Sequence, residues 1–169
     1  VAALLVAVTA LTGVGFFTDR IGQAVNQRAA EVLAADLRLQ SANALGAEYE
    51  ALAAARGIAV ARTVSFPSVV FLGEDSALAA VRAVGRGYPL RGRLRIADAP
   101  FGLARETAVL PGPGEAWLDS RLLASLGAEL GSRVSIGAVE FRLAQVLDYR
   151  PDQGSAFVDL APSLMIGID

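Results

Sequence analysis

Residues Val1 to Phe17 (VAALLVAVTALTGVGFF) carry no charge and only Thr and Gly as weakly polar types, and Thr18-Asp19-Arg20 ends the run. Seventeen helical residues reach about 25 Å, slightly less than a bilayer core. The pattern predicts the C-terminal part of a transmembrane helix over 1–17, with the chain beginning inside it. A signal-peptide core is the alternative, but no A-x-A-like cleavage site followed by a turn appears. The helical period then continues past the charges. Ile21, Val25, Ala29, Val32 and Leu33 share one stripe, while Asp19, Gln23, Asn26, Gln27 and Glu31 occupy the other faces. This predicts an amphipathic stalk helix over 18–34; an ordinary first helix packed on its own domain fits the same pattern.

Beyond the stalk the period shortens. Leu37 and Leu39 alternate with Asp36, Arg38 and Gln40, predicting a half-buried strand. Asn43 can cap a helix to Arg56 that turns Leu45, Tyr49 and Leu52 inward and stops at Gly57. Ile58, Val60, Val64 and Phe66 then share a strand face closed by Pro67, which completes a predicted βαβ unit before a short apolar piece at Val69 to Leu72. Further strands are predicted at Leu78 to Val84 and Leu94 to Ile96. The Pro- and Gly-rich stretch from Ala99 to Glu115 lacks a period and reads as a lobe boundary. After it, Asp119 caps a short helix carrying Leu122, Leu123 and Leu126, ended by Gly127. A hairpin follows, with Val134 and Ile136 on one strand, Gly137-Ala138 at the turn, and Val139, Phe141 and Leu143 on the other. Leu164 to Ile168 reads as a buried strand.

Composition narrows the chemistry. The chain has 169 residues, no Cys and no His, and all 15 basic residues are Arg. Without imidazole, thiolate or Lys there is no Ser-His or Cys-His nucleophile, no zinc site of the usual kinds, no Schiff base and no Lys-bearing phosphate loop. No cofactor or metal is expected. A net charge of -2 gives no reason to expect nucleic acid. Carboxylates survive the exclusion: Asp148, Asp152 and Asp159 are candidates for an acid–base pair or a cation site, or are solvated turn residues, the reading that the turn preference of Asp favours. Arg82, Arg86, Arg91, Arg93 and Arg95 form a cluster with no acid between Val81 and Asp98. They are a candidate patch for lipid phosphate or another anionic ligand, or a solvated face with partners elsewhere in the fold.

Three motifs carry a family resemblance: AVGRGYPLRGRLRIAD at Ala83 to Asp98, PGPGEAWLDSRLLASLGAELGSRVSIGAVEFRLAQVLDYRPD at Pro111 to Asp152, and the closing LAPSLMIGID. In order behind the apolar helix, ADLRLQS at Ala35 to Ser41 and SFPSVV at Ser65 to Val70, they resemble the periplasmic core domain of MacB/FtsX-type ABC transporter permeases, closest to the YbbP-like branch. The resemblance implies an α+β fold: an N-terminal transmembrane and stalk helix, a βαβ-type lobe over 35–98, a smaller β-rich lobe over 99–152, and a return strand to the α/β lobe in 153–169, truncated at the C-terminus.

The resemblance also implies a permease subunit that is not itself an enzyme and pairs with a separate cytoplasmic ATP-binding subunit. It implies a homodimer in the bacterial inner membrane with this domain facing the periplasm. A hydrophobic cargo, lipid or lipoprotein-like, and a periplasmic esterase or other envelope protein are the implied partners. The alternative is an FtsX-like regulator whose extracytoplasmic domain docks and activates a cell-envelope hydrolase. A membrane-anchored carboxylate enzyme is the third reading, and it requires two carboxylates converging in one pocket.

Overall fold

The computed structural model describes residues 2–153 and 161–168, with only the backbone given at 4–7 and 26–31. Helix α1 (Ala2–Leu33) runs unbroken through the apolar stretch and the predicted stalk. Among the described residues no helix is long and apolar enough to cross a membrane, so the transmembrane segment expected over 1–17 is not shown there. The helix ends at Ala34, which takes a left-handed conformation (φ 56°) that a residue with a Cβ adopts at a cost of about 1–2 kcal/mol. Tertiary contacts hold it: Ala34 is 4% exposed, its carbonyl accepts the Arg91 N–H at 3.0 Å, and the Arg91 side chain forks onto Asp36.

From 35 to 46 the chain is neither helix nor ladder, so the strand predicted around Leu37 and Leu39 is absent. An alternating sequence becomes a strand only where another edge satisfies its backbone. None does so here, and Leu37 is 85% exposed. Helix α2 (Ala47–Ala55) follows, shorter than predicted and starting after Gly46 rather than Asn43, and Gly57 closes it with positive φ. The next two strands, β1 (Thr63–Leu72) and β2 (Asp75–Val84), form an antiparallel hairpin around Gly73-Glu74. The expected βαβ unit is not formed: its first strand is absent, and its last strand pairs antiparallel with β2 instead. Pro67 lies inside β1 rather than ending it: the strand has a second neighbour only at Val70 and Phe71, so the missing N–H can face an open edge.

The remaining elements are β3 (Leu94–Ala97), β4 (Arg105–Thr107), β5 (Glu115–Leu118), α3 (Ser120–Leu126), β6 (Arg133–Ile136), β7 (Val139–Tyr149) and β8 (Ser163–Gly167). All eight described strands belong to one sheet in the order β4-β3-β7-β5-β8-β2-β1-β6. Because β6 pairs with β7 as well as β1, six strands close into a ring, and β3 and β4 extend from the far end of β7. The expected lobe division at residues 98 and 99 falls within this sheet: β8 pairs parallel with β2 on one side and antiparallel with β5 on the other.

Alternation along the central strands feeds two cores. Leu164 and Ile166 of β8, Ala116 and Leu118 of β5, and Ala79, Val81 and Ala83 of β2 join Val70, Val134 and Leu143 in the ring interior, closed by Leu122, Leu123 and Leu126 of α3. The intervening Met165, Trp117 and Val84 meet Ala34, Tyr88, Leu94, Ile96 and Leu147 on the opposite face. On β7 a bulge at Ala144 shifts the alternation, so Leu143 and Val146 both face the first core and Leu147 the second. Asp119 joins α3 to the sheet. One carboxylate oxygen accepts the Leu122 N–H at 2.8 Å as a helix cap, and the other accepts the Ser163 N–H of β8 at 2.8 Å.

A charged cluster lies in the interior on the second face. Arg82 of β2 contacts Asp152 at 2.5 Å, Tyr88 donates its hydroxyl to the other carboxylate oxygen at 2.6 Å, and the buried Arg150 lies 3.8 Å from it. Burial, and the negative charge of Asp152 beside it, hold the Tyr88 phenol well above its ordinary value. Burial pulls Arg82 down, opposed by Asp152.

Asp152→Ala takes the carboxylate away from the buried Arg82 guanidinium and is expected to cost about 3–5 kcal/mol in urea unfolding, whereas Asp36→Ala, which breaks an exposed pair, should leave the urea midpoint almost unmoved. Asp119→Ala removes a cap and a bond to β8 together, with an expected loss of about 2–4 kcal/mol. Folded Tyr88 keeps a proton that the unfolded chain releases near pH 10.0. The stability tied to that proton is complete below this pH and falls as pH rises beyond it. Unfolding free energies measured from about pH 8 to about pH 11 should show that fall, and Tyr88→Phe should flatten it.

Candidate functional site

The five arginines singled out by the sequence separate in space. Arg82 is inside, on Asp152. Arg91 is exposed at the α1 junction, where Asp36 holds it in a two-pronged bond of 2.9 and 2.6 Å. Its guanidinium keeps the Asp36 carboxyl below the usual range and is itself pushed up. Arg86 is exposed in the turn after β2. Only Arg93 and Arg95 share a surface, because alternation along β3 sends Leu94 and Ile96 into the second core and the arginines to the other side.

There they line a shallow open groove with Gly92, Glu106 and Tyr149. Glu106 of β4 stands directly across from Arg95 in the ladder and pairs with Arg93 at 3.3 Å. Arg95 bonds Asp148 of β7 at 3.2 Å and lies over the Tyr149 ring, 4.9 Å from its centroid. The groove therefore offers two guanidinium groups already engaged by two carboxylates, beside one aromatic face. An anion entering it must compete with Glu106 and Asp148. Sequence reasoning found the arginines, and Asp148 and Asp152 as separate candidates, but not their pairing, because Asp36, Glu106, Asp148 and Asp152 lie outside the acid-free run and only the folded topology brings them to it.

Of the three candidate carboxylates, Asp148 serves Arg95 and Asp152 is sequestered with Arg82, while Asp159 lies outside the described residues. Among the described residues no group of three or more acidic, His or Cys side chains is placed to hold a metal ion.

Apolar exposure is the other feature of the surface. Helix α2 buries none of its residues, leaving Tyr49 and Leu52 open alongside Leu37, Leu39 and Leu45. Sequence reasoning turned Leu45, Tyr49 and Leu52 inward; no described element covers them. On α1, Val8, Leu11, Val14, Phe16 and Phe17 are all more than half exposed. These faces offer apolar surface to a partner.

No protein-family model matches the chain. It is 30% identical over 166 residues to the uncharacterized ABC transporter permease YbbP of Escherichia coli strain K12, an alignment covering 98% of this chain and 20% of that protein. The chain thus spans about a fifth of the length of this relative. Its fold is shared with the extracellular domain of the noncanonic ABC-type transporter YknZ from Gram-positive bacteria, at a TM-score of 0.53, 12% identity, and coverage of 76% of this chain and 64% of that one. The periplasmic region of MacB from Actinobacillus actinomycetemcomitans aligns more loosely, at a TM-score of 0.43 and 15% identity over 63% of this chain and 46% of that one. The sequence likeness covers nearly all of this chain and places it with a segment of an ABC transporter permease, and the fold shared with the YknZ extracellular domain agrees with that likeness.

Proposed function

We propose that the domain is the moving extracytoplasmic part of an ABC-type exporter permease, coupling ATP-driven motion to the movement of a hydrophobic cargo, lipid or lipoprotein-like, at the membrane. The observation that carries this reading is the continuity of α1 with the domain core. An unbroken helix of 32 residues enters a buried junction at Ala34, clamped by Arg91 through both backbone and side chain. A helix resists bending unless Pro, a π-bulge or an insertion interrupts its ladder, so displacement at its apolar end reaches the domain as rigid-body motion. In this proposal the apolar half of α1 belongs to a membrane segment of the bacterial inner membrane, the domain faces the periplasm, and ATP is hydrolysed by a separate cytoplasmic subunit. Two permease copies pair around the ATPase.

The exposed apolar side chains on α2 and in the segment before it support a surface for apolar ligands, since patches of this kind mark interaction sites. The groove at Arg93 and Arg95 is a second proposed contact, for an anionic headgroup that displaces Glu106 or Asp148.

The direct test is ATP hydrolysis by the full-length protein purified from membranes with the subunit that accompanies it, with and without added phospholipid or lipoprotein. The expected outcome is hydrolysis that depends on the second subunit and rises with such a cargo; a preparation with no accompanying ATPase overturns the proposal. Inserting Gly-Pro between Ile21 and Gly22 breaks the rod without touching either end. ATP hydrolysis should persist while its stimulation by cargo disappears, and retained stimulation would show that coupling bypasses α1.

A further inference from the structure

Helix α1 changes character within one turn, and the change has the chemistry of a lipid headgroup boundary. Phe16 and Phe17 are 61% and 66% exposed, and the Arg20 guanidinium folds back over the Phe16 ring at 5.0 Å from its centroid. Reaching back one turn along its own helix, the guanidinium brings its charge to the level of the Phe16 ring, so cation and aromatic face lie at one height along the helix. On the N-terminal side, two hydroxyls that would be unsatisfied in hydrocarbon are bonded to the helix itself. Thr12 donates to the Val8 carbonyl at 2.7 Å and Thr18 to the Val14 carbonyl at 2.9 Å. On the C-terminal side polar groups return on part of the surface, with Gln23 donating to Asp19 at 2.9 Å, while Ile21 and Val25 keep an apolar stripe.

We infer that Phe16, Phe17 and Arg20 form an interfacial anchor, in which the two rings sit at the headgroup level of a phospholipid bilayer and Arg20 binds a lipid phosphate. The inference rests on the reading of α1 as part of a membrane segment. Charge complementarity selects the occupant: a guanidinium with five donors fits a phosphate, and aromatic side chains partition to the same layer. The anchor also fixes a height. Arg20 and Leu33 are separated by roughly 20 Å of helix, so the domain core stands about that far above the bilayer when α1 is upright.

This chain contains no cysteine, so in a full-length protein with any cysteine elsewhere replaced by Ser, single reporters leave the anchor intact. Gly13, Gly15 and Gly22 have open space where a Cβ would go, so Gly13→Cys, Gly15→Cys and Gly22→Cys, together with Val25→Cys, bracket it without crowding a neighbour. Each variant of the full-length protein carries an environment-sensitive fluorophore and is reconstituted in phosphatidylethanolamine and phosphatidylglycerol vesicles containing spin-labelled lipid. Labels at Gly13 and Gly15 should be quenched by the lipid at least about threefold more than labels at Gly22 and Val25. Aqueous iodide should give the reverse order.

Equal lipid quenching at Gly15 and Val25 would overturn the anchor while leaving the membrane reading standing. Lipid quenching at none of the four would overturn both. Arg20→Gln separates the phosphate contact from the ring contribution: it should let the boundary move toward Gly22 and raise lipid quenching there about twofold. Unchanged quenching at Gly22 would remove Arg20 from the anchor.

Discussion

The central strands of this domain carry a double obligation: each must pack a core on both faces while completing backbone ladders on both edges. β8 shows it most clearly. Its backbone is shared between β2 and β5, Leu164 and Ile166 fill the ring, and Met165 meets Trp117 and Val84 behind it. A strand in that position tolerates neither a register slip, which would exchange the two cores, nor a polar side chain without a partner. The small residues of β2 reflect the same constraint, because Ala79 and Ala83 leave room for the leucines of α3 within a narrow ring.

Electrostatics divides between inside and outside. The exposed pairs of Arg93 with Glu106 and Arg95 with Asp148 are solvated and contribute little to stability, which leaves the groove adaptable. The interior pair of Arg82 and Asp152, with Tyr88 and Arg150 around it, joins β2, the turn before β3 and the exit of β7 at one point. Desolvated charges of this kind specify a unique arrangement more than they add to its free energy. Arg91 performs a related service at the surface by pinning the end of α1 to the turn that Tyr88 anchors from within.

Much of the second half was legible from sequence because its signals are local. Asp119 and Gly127 bracket α3 with a cap and a left-handed stop, and Gly137 turns β6 into β7. The first half was harder, since alternation reports that a residue is half-buried without reporting which edge it will join. Val64 and Phe66 lie in β1, but the same pattern at Leu37 and Leu39 finds no ladder among the described residues. Strand partners were equally hidden, so β1, expected to close a unit with the segment before it, pairs with the strand after it. The candidate patch was legible only as a composition. Glu106, Asp148 and Asp152 reach the arginines across the sheet, and no spacing rule along the chain connects them.

The position of β8 governs the order in which the molecule can assemble. The strand that completes the ring is contributed by residues 163–167, after every other described strand of the sheet, yet it is inserted between two of them. Until it arrives, β2 and β5 present bare edges, and the leucines of α3 have an incomplete wall to pack against. Closure over such a large sequence separation is entropically demanding and therefore slow. A folding chain thus passes through a sticky, open-sided stage whose duration is set by the delivery of five residues, a natural window for a chaperone or a protease to intervene.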